Sequence, residues 1–542
     1  MTLDRRISFN KPVEAPNIQI DLALCGKKHK GTGNGIGIAN GRRMSIAKHT
    51  TYNLIGSIVP LLLALATIPL YLGLVGPERY GALAIAWLIL GYFGLFDLGL
   101  GRATAQRIAA LKNASAQERS DVFWTAVVVN IAMGIVGGII MYFAAQYFFQ
   151  HIFKIDEQLR FEAMAAVPFL AAAVPVATLT GVASGALQGR EKFLEVNLAT
   201  IVGTSLFQLL PLGIAWIVGP TLKWLILAAV VARVIGLLIF LIRVHSNLLA
   251  GIKPHFDAAH WVGLFKYGGW VSVTSAVSPL LLSFDRMMIG GVLGARAVTF
   301  YSVPVEIVQR ISVIPLAMGS ALFPRFVNKD SAGQTKLQNK AISSLTVLVA
   351  VPTLGALLLL EPFLILWVGN DFAQKSSVIG LIALLGFWIR SFAVIPFSRL
   401  QAIGRPDLVA KWLLIQLPFY VIAVYFGLIY WGLIGAVIVF SMRRLVDFQI
   451  LFYLSERCFS IPKPIFVHFF ILAVGFLIAS AMPVTNPVRW LCSIALLAGT
   501  IILCVRTMPA EMAELIVDIA PRPINSIIER IFSLLRPGYG NR

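Results

Sequence analysis

The chain has 542 residues, 58% of them hydrophobic and only 13% charged, with a formal net charge of +20. Soluble globular proteins carry charge on about a quarter of their residues, so this balance excludes a soluble globular fold. The apolar residues come in runs of about 20 or more, long enough for a helix to cross a bilayer, and the alternating segments of about ten residues that a membrane β-barrel requires are absent. The composition predicts an all-α polytopic membrane protein.

In chain order, residues 1–48 are polar and basic and predict a disordered cytoplasmic tail. The stretch IQIDLALCG is too short for a signal peptide and contains Asp21. Met44, which follows Arg42 and Arg43, is a candidate start codon. Fourteen apolar segments follow, near 50–75, 80–100, 121–149, 162–187, 196–219, 222–243, 267–293, 298–323, 341–368, 376–399, 411–430, 432–455, 465–483 and 489–505. With the N-terminus inside, the inner loops hold eighteen Lys and Arg and the outer loops seven. Most of the basic excess is therefore a topology signal that leaves both termini cytoplasmic, not a nucleic-acid patch. The C-terminal stretch from Glu511 to Leu535 has apolar residues at helical spacing, interrupted by Pro521 and Pro523, and predicts an amphipathic helix on the inner face.

The chain also repeats. SIVPLLLALATIPLYLGLVGPERYGAL aligns with AVSPLLLSFDRMMIGGVLGARAVTFYSV, setting Pro60 against Pro279 at an offset of 219, Gly76 against Gly294, and Tyr80 against Tyr301. A second match sets Gly189 and Arg190 against Gly404 and Arg405 at an offset of 215. Six helices separate the copies, so both run in the same direction. This predicts two parallel-repeat six-helix lobes around a central cavity. The N-lobe covers 49–245, a cytoplasmic connector 246–262, the C-lobe 263–456, two additional helices 464–506, and a cytoplasmic tail 507–542.

Ionisable residues inside spanning segments mark pathways and coupling sites. Glu306 and Arg310, and Arg443 and Asp447, are four apart and suited to pairing on one helix. Neighbours on a helix point about 100° apart, so Asp285 and Arg286 each need a partner from elsewhere. Arg233, Arg286, Arg390 and Arg444 are left over, and with Arg310 and Arg443 they form the candidate substrate-binding set. A surplus of guanidinium in a cavity favours an anion, because its fork fits phosphate oxygens and keeps its charge when desolvated. Asp285, Glu306 and Asp97 are the candidate ion-coupling residues. There is no P-loop, no Gly-x-Ser-x-Gly and no clustered His; the four cysteines lack metal or redox spacing, so neither an enzyme, a metal nor a cofactor is expected.

YLGLVGPERYGALAIAWLILGYFGLFDLGLGRATAQRIA (71–109) resembles the helix 1–2 region of polysaccharide-export flippases of the Wzx type, in the multidrug/oligosaccharidyl-lipid/polysaccharide superfamily, through Gly76, Tyr80, Gly81, Asp97 and Gly99. FDRMMIGGVLGARAVTFYSV resembles that family's helix 7–8 turn through Asp285, Gly290, Gly294 and Tyr301, and ALFPRF and LQAIGRP are similar to its later signatures. The resemblance implies twelve core helices in two lobes, usually with two more at the C-terminus. It also implies transfer of an undecaprenyl-pyrophosphate-linked oligosaccharide across the bacterial inner membrane, for O-antigen, exopolysaccharide or capsule, driven by an ion gradient. Glycan polymerase and glycosyltransferases are the partners it brings to mind, beside membrane lipids. Two other readings stand next to it: a cation-coupled multidrug or metabolite exporter of the same fold, which would favour acids in its cavity, and a membrane glycan polymerase or glycosyltransferase, which would need a larger outer loop.

Overall fold

In the computed structural model, residues 35–91, 99–111, 114–249, 283–456 and 463–509 are described, with isolated positions at 277, 281 and 513; before residue 59 only the backbone is described. The chain divides into two units, Met1–Thr51 and Tyr52–Arg542. The expected tail differs from expectation in one respect: the first helix begins at Gly35, so 35–48 are helical. The rest of that tail, Asp97, the connector beyond 249 and most of the predicted amphipathic stretch lie outside the described residues.

The second unit is helical. Helix α1 spans Gly35–Gly91 and is broken at Gly76 into two arms. Then come α2 (Leu100–Ala110), α3 (Ala116–Tyr147), α4 (Glu157–Gly189), α5 (Phe193–Ile217) and α6 (Leu222–Val244). The second repeat contains α7 (283–293), α8 (Ala295–Gln309), α9 (Val313–Val327), α10 (Ser331–Val368), α11 (Asn370–Ala402) and α12 (Pro406–Glu456). Two further helices, α13 (Lys463–Ala481) and α14 (Pro487–Thr507), pack on α10. Nine helices among the described residues are long and apolar enough to cross a membrane, with α12, bent at Gly432, taken as one. The described residues do not carry the full expected count of fourteen.

Local chemistry sets several helix starts. Ser115 caps α3 by accepting the Glu118 N–H at 3.2 Å, while its hydroxyl donates to the Glu118 carboxylate at 3.0 Å. Asp330 caps α10 through the Gly333 N–H. Asn486 caps α14 through the Val488 N–H, with Pro487 in the first helical position.

The repeat is visible in the backbone. Gly76 (φ 76°, ψ 164°) and Gly294 (φ 88°, ψ 176°) adopt the same left-sided conformation, open to glycine and costly for other residues, and each reverses the chain between paired helices. The second repeat match shifts by two residues. Helix α4 ends with Glu191 at φ 60° and α11 with Gly404 at φ 76°. Lys192 donates to Leu187 O as Arg405 donates to Leu400 O. Gly404 therefore corresponds to Glu191, an offset of 213, and the shared Gly-Arg dipeptide is a coincidence of composition. Backbone geometry ties the copies together where letters mislead.

Close packing rests on small residues. A β-carbon on Gly185 would lie 2.1 Å from the Gly101 carbonyl oxygen, and one on Gly101 would lie 2.8 Å from that of Gly181. Gly181 and Gly185 form the small-xxx-small face that lets α2 and α4 touch backbone to backbone. Gly185→Val is expected to force these helices apart and destabilise the protein by at least about 1–3 kcal/mol; a lower melting temperature in detergent and a reduced folded yield check it.

Candidate functional site

The two lobes meet along one set of turns. Lys154, between α3 and α4, donates its backbone N–H to Gly290 O at 3.1 Å and accepts the Ala295 N–H at 3.3 Å. Its ammonium reaches Val292 O at 2.9 Å. Thr299 donates to Pro77 O at 2.5 Å, and a β-carbon on Gly81 would overlap the Ala295 carbonyl at 1.9 Å. Deeper in, Trp367 on α10 donates to Leu65 O on the first arm of α1. At the opposite ends, no hydrogen bond or ion pair among the described residues joins one lobe to the other.

Below that clasp lies a cavity of about 390 Å³ with walls from both lobes. The N-lobe supplies aromatic rings: Tyr71 and Tyr80 each meet Trp87 edge-on, at 5.5 and 6.2 Å, and Trp87 lies 5.7 Å from Phe207. Tyr71 donates to Gln208 O at 2.7 Å, which fixes this wall to α5. The C-lobe supplies charged and polar groups: Arg286, Glu306, Gln309 and Arg310. Arg286 is bound by Glu306 at 2.9 Å across the α7–α8 turn. The expected Glu306–Arg310 pair does not form. Helix α8 ends at Gln309 and tightens into a 3₁₀ turn at Arg310–Ser312, which breaks the i, i+4 geometry. Arg310 is exposed and, among the described residues, has no ion-pair partner.

Asp285 faces away from this cavity into the C-lobe. Its buried carboxylate accepts the Arg286 N–H at 2.9 Å and a short hydrogen bond from the Tyr301 hydroxyl. The repeat tyrosines thus do different work: Tyr80 lines the inter-lobe cavity, and Tyr301 holds a carboxylate.

The remaining candidates lie elsewhere. Arg390, Arg443 and Arg444 line a separate cavity of about 270 Å³ in the C-lobe, with Asp447 and Trp412. Arg443 and Arg444 approach one Asp447 oxygen at 3.9 and 4.0 Å, outside hydrogen-bond range. Arg233 stacks over Phe207 at 4.8 Å in a third cavity, of about 540 Å³, lined by hydroxyls of α4 and α5. The six arginines therefore occupy three cavities, not one chamber. Other buried charges are structural. Arg489 binds Glu361 at 2.5 Å, Arg399 binds Glu456 and Thr335, and Glu162 receives Arg79 and the Leu222 N–H. Arg399 and Arg489 stand at the ends of apolar segments in the sequence, yet both are buried. Sequence reasoning missed the Tyr71–Trp87 wall, because the kink at Gly76 folds two stretches of one apolar run onto each other.

The profile of a family described as polysaccharide biosynthesis protein matches residues 46–329. A Shigella flexneri protein named as an O-antigen transporter is 31% identical over 421 residues, covering 77% of this chain and 99% of its own length. Among solved structures, the lipid II flippase MurJ in an inward closed conformation matches with a TM-score of 0.64 at 13% identity, covering 84% of this chain and 98% of its own. An inward-facing MATE family multidrug resistance transporter of the MOP superfamily matches with a TM-score of 0.63 at 15% identity, covering 76% and 97%. At such identities the structures share the fold.

Tyr301→Phe is expected to leave the buried Asp285 carboxylate short of a donor and to cost about 1.5–3 kcal/mol, whereas Arg310→Ala stays within about 0.5 kcal/mol because its head group is exposed. Paired thermal melts of the two variants in the same detergent check the contrast.

Proposed function

The chain belongs to the polysaccharide biosynthesis protein family, and from that premise we propose that it is a flippase for a lipid-linked oligosaccharide. In this reading the carrier is undecaprenyl pyrophosphate, the membrane is the bacterial inner membrane, and both termini are cytoplasmic. The cargo is an O-antigen, exopolysaccharide or capsule repeat unit, built by glycosyltransferases and consumed by a polymerase.

One observation carries the proposal: the inter-lobe cavity sets Arg286 and Arg310 opposite Tyr71, Tyr80 and Trp87. Guanidinium groups suit the pyrophosphate, and flat rings with polar edges suit sugars, which present both C–H faces and hydroxyls. The lipid tail remains in the bilayer. The clasp lies on the turns that carry few basic residues, which the positive-inside rule assigns to the outer side. Substrate would enter from the cytoplasmic side and meet Arg286.

Glu306 then acts as a competitor. It occupies Arg286 in the empty cavity, and its side chain is 36% exposed, within reach of arriving ligand or ion. Pyrophosphate displaces it, and protonation or a cation at Glu306 would have the same effect. Asp285, one residue from Arg286, and Asp97 remain the other coupling candidates. A drug exporter on this fold is disfavoured by the arginines in its cavity.

Arg286→Ala and Arg310→Ala are each expected to lower surface glycan export about tenfold or more, with normal protein abundance and lipid-linked repeat units accumulating at the inner leaflet. Surface glycan quantified against membrane protein level checks this; export at the parental rate in both variants would overturn the site. Glu306→Gln should instead strengthen retention of pyrophosphate-bearing lipid while slowing turnover, seen as tighter binding with reduced export.

A further inference from the structure

The second cavity, inside the C-lobe, has a charge problem that no neighbouring group among the described residues resolves. Arg390, Arg443 and Arg444 converge there against one carboxylate, Asp447, whose other oxygen already accepts the Trp412 indole N–H at 3.0 Å. The next acid, Asp285, is engaged by Tyr301 and by the Arg286 N–H. Among the described residues no carboxylate lies within ion-pair reach of Arg390. Arg443 is 8% and Arg444 4% exposed, and the Nε and Nη2 atoms of both are buried without a hydrogen-bond partner.

The site is also deep. Arg444 stands twelve residues beyond the Gly432 bend, about 18 Å along the helix axis, where bulk water does not compensate an unsatisfied donor. Leaving such donors empty opposes folding, because the water they give up is not replaced. Their orientation is fixed from behind: Arg443 stacks over Tyr420 at 4.5 Å and Arg444 over Phe440 at 4.7 Å. The rings hold the guanidinium groups in place, and the walls facing them, Leu281, Leu316 and Phe397 among them, are apolar. The cavity of about 270 Å³ has room for a polyatomic anion, and it shares no lining residue with the inter-lobe cavity.

We propose that this C-lobe cavity is a second binding site, for an oxyanion of the phosphate class, held by Arg390, Arg443 and Arg444. Three guanidinium forks around one acceptor suit a tetrahedral oxyanion with several lone pairs better than a monatomic ion. Asp447 leaves a net charge of +2 for the ligand to balance. The source is either free phosphate or the head group of a phosphate-bearing lipid. The inference does not depend on what occupies the inter-lobe cavity.

The test uses the purified full-length protein. Isothermal titration in detergent with sodium phosphate, sodium pyrophosphate and sodium chloride is run on the parent and on Arg390→Gln, Arg444→Gln and Ala393→Phe. The last variant fills the cavity without removing a charge; gel filtration reports folding for all of them. A parallel arm titrates undecaprenyl phosphate in phosphatidylcholine nanodiscs against phosphatidylcholine alone. Saturable binding of phosphate or pyrophosphate, weakened about 10- to 100-fold in each variant, supports the site with a free ligand. Binding only in the undecaprenyl phosphate nanodiscs, with the same losses, supports it with a lipid source. No binding in either arm, chloride bound as tightly as phosphate, or full affinity retained in Arg390→Gln and Arg444→Gln would overturn it.

Discussion

A guanidinium in the middle of a bilayer needs a partner supplied by the protein itself, and the arrangement around Arg286 depends on that requirement. Its side chain is neutralised by Glu306 from the next helix, while the adjoining Asp285 turns the other way and is hydrogen-bonded by Tyr301 and a backbone N–H. Two neighbouring charges on one helix are thus divided between two environments, one facing the inter-lobe cavity and one facing the C-lobe interior. This division fixes the rotation of α7. Turning the helix by one residue would bring the carboxylate into the cavity and the guanidinium into the core, reversing the sign of the field that an incoming ligand meets. In low dielectric such a reversal is worth far more than at an aqueous surface.

The same economy of partners distinguishes structural charges from available ones. Arg489 with Glu361, Arg399 with Glu456, and Arg79 with Glu162 are close, direct pairs that join helices distant in sequence. Arg443 and Arg444 of the C-lobe cavity share one carboxylate at nearly 4 Å, and Arg310 stands at a helix break, exposed. Distance to a carboxylate, more than burial, separates these two sets; Arg286, 2.9 Å from Glu306, falls with the first by distance and is set apart by lining a cavity.

Much of the fold was legible in the sequence because bilayer thickness imposes a length on each apolar run, and because glycine marks turns that other residues cannot make at low cost. Gly76 and Gly294 were readable in this way, and their matching dihedral angles bear out the repeat. The second match failed by two residues because a Gly-Arg pair can recur by chance, whereas a left-handed C-cap is a property of the backbone, met here by Glu191 in one copy and Gly404 in the other. Pairing was the least legible part. The rule that joins Glu306 to Arg310 assumes an unbroken helix, and the helix tightens at Arg310. Arg399 and Arg489 sit near segment ends, where counting along the chain cannot tell a solvated charge from one folded beneath its neighbours.

The clasp between the lobes is made largely of main-chain groups. Lys154 gives and receives backbone hydrogen bonds with 290 and 295, and Thr299 and Trp367 both end on carbonyl oxygens. A latch of this composition is blind to side-chain identity at two of its five hydrogen bonds. Substitution surveys that read importance from lost side chains would pass over those two, while Gly81 and Gly294, where a β-carbon is crowded or strained, hold the lettering of the turns fixed.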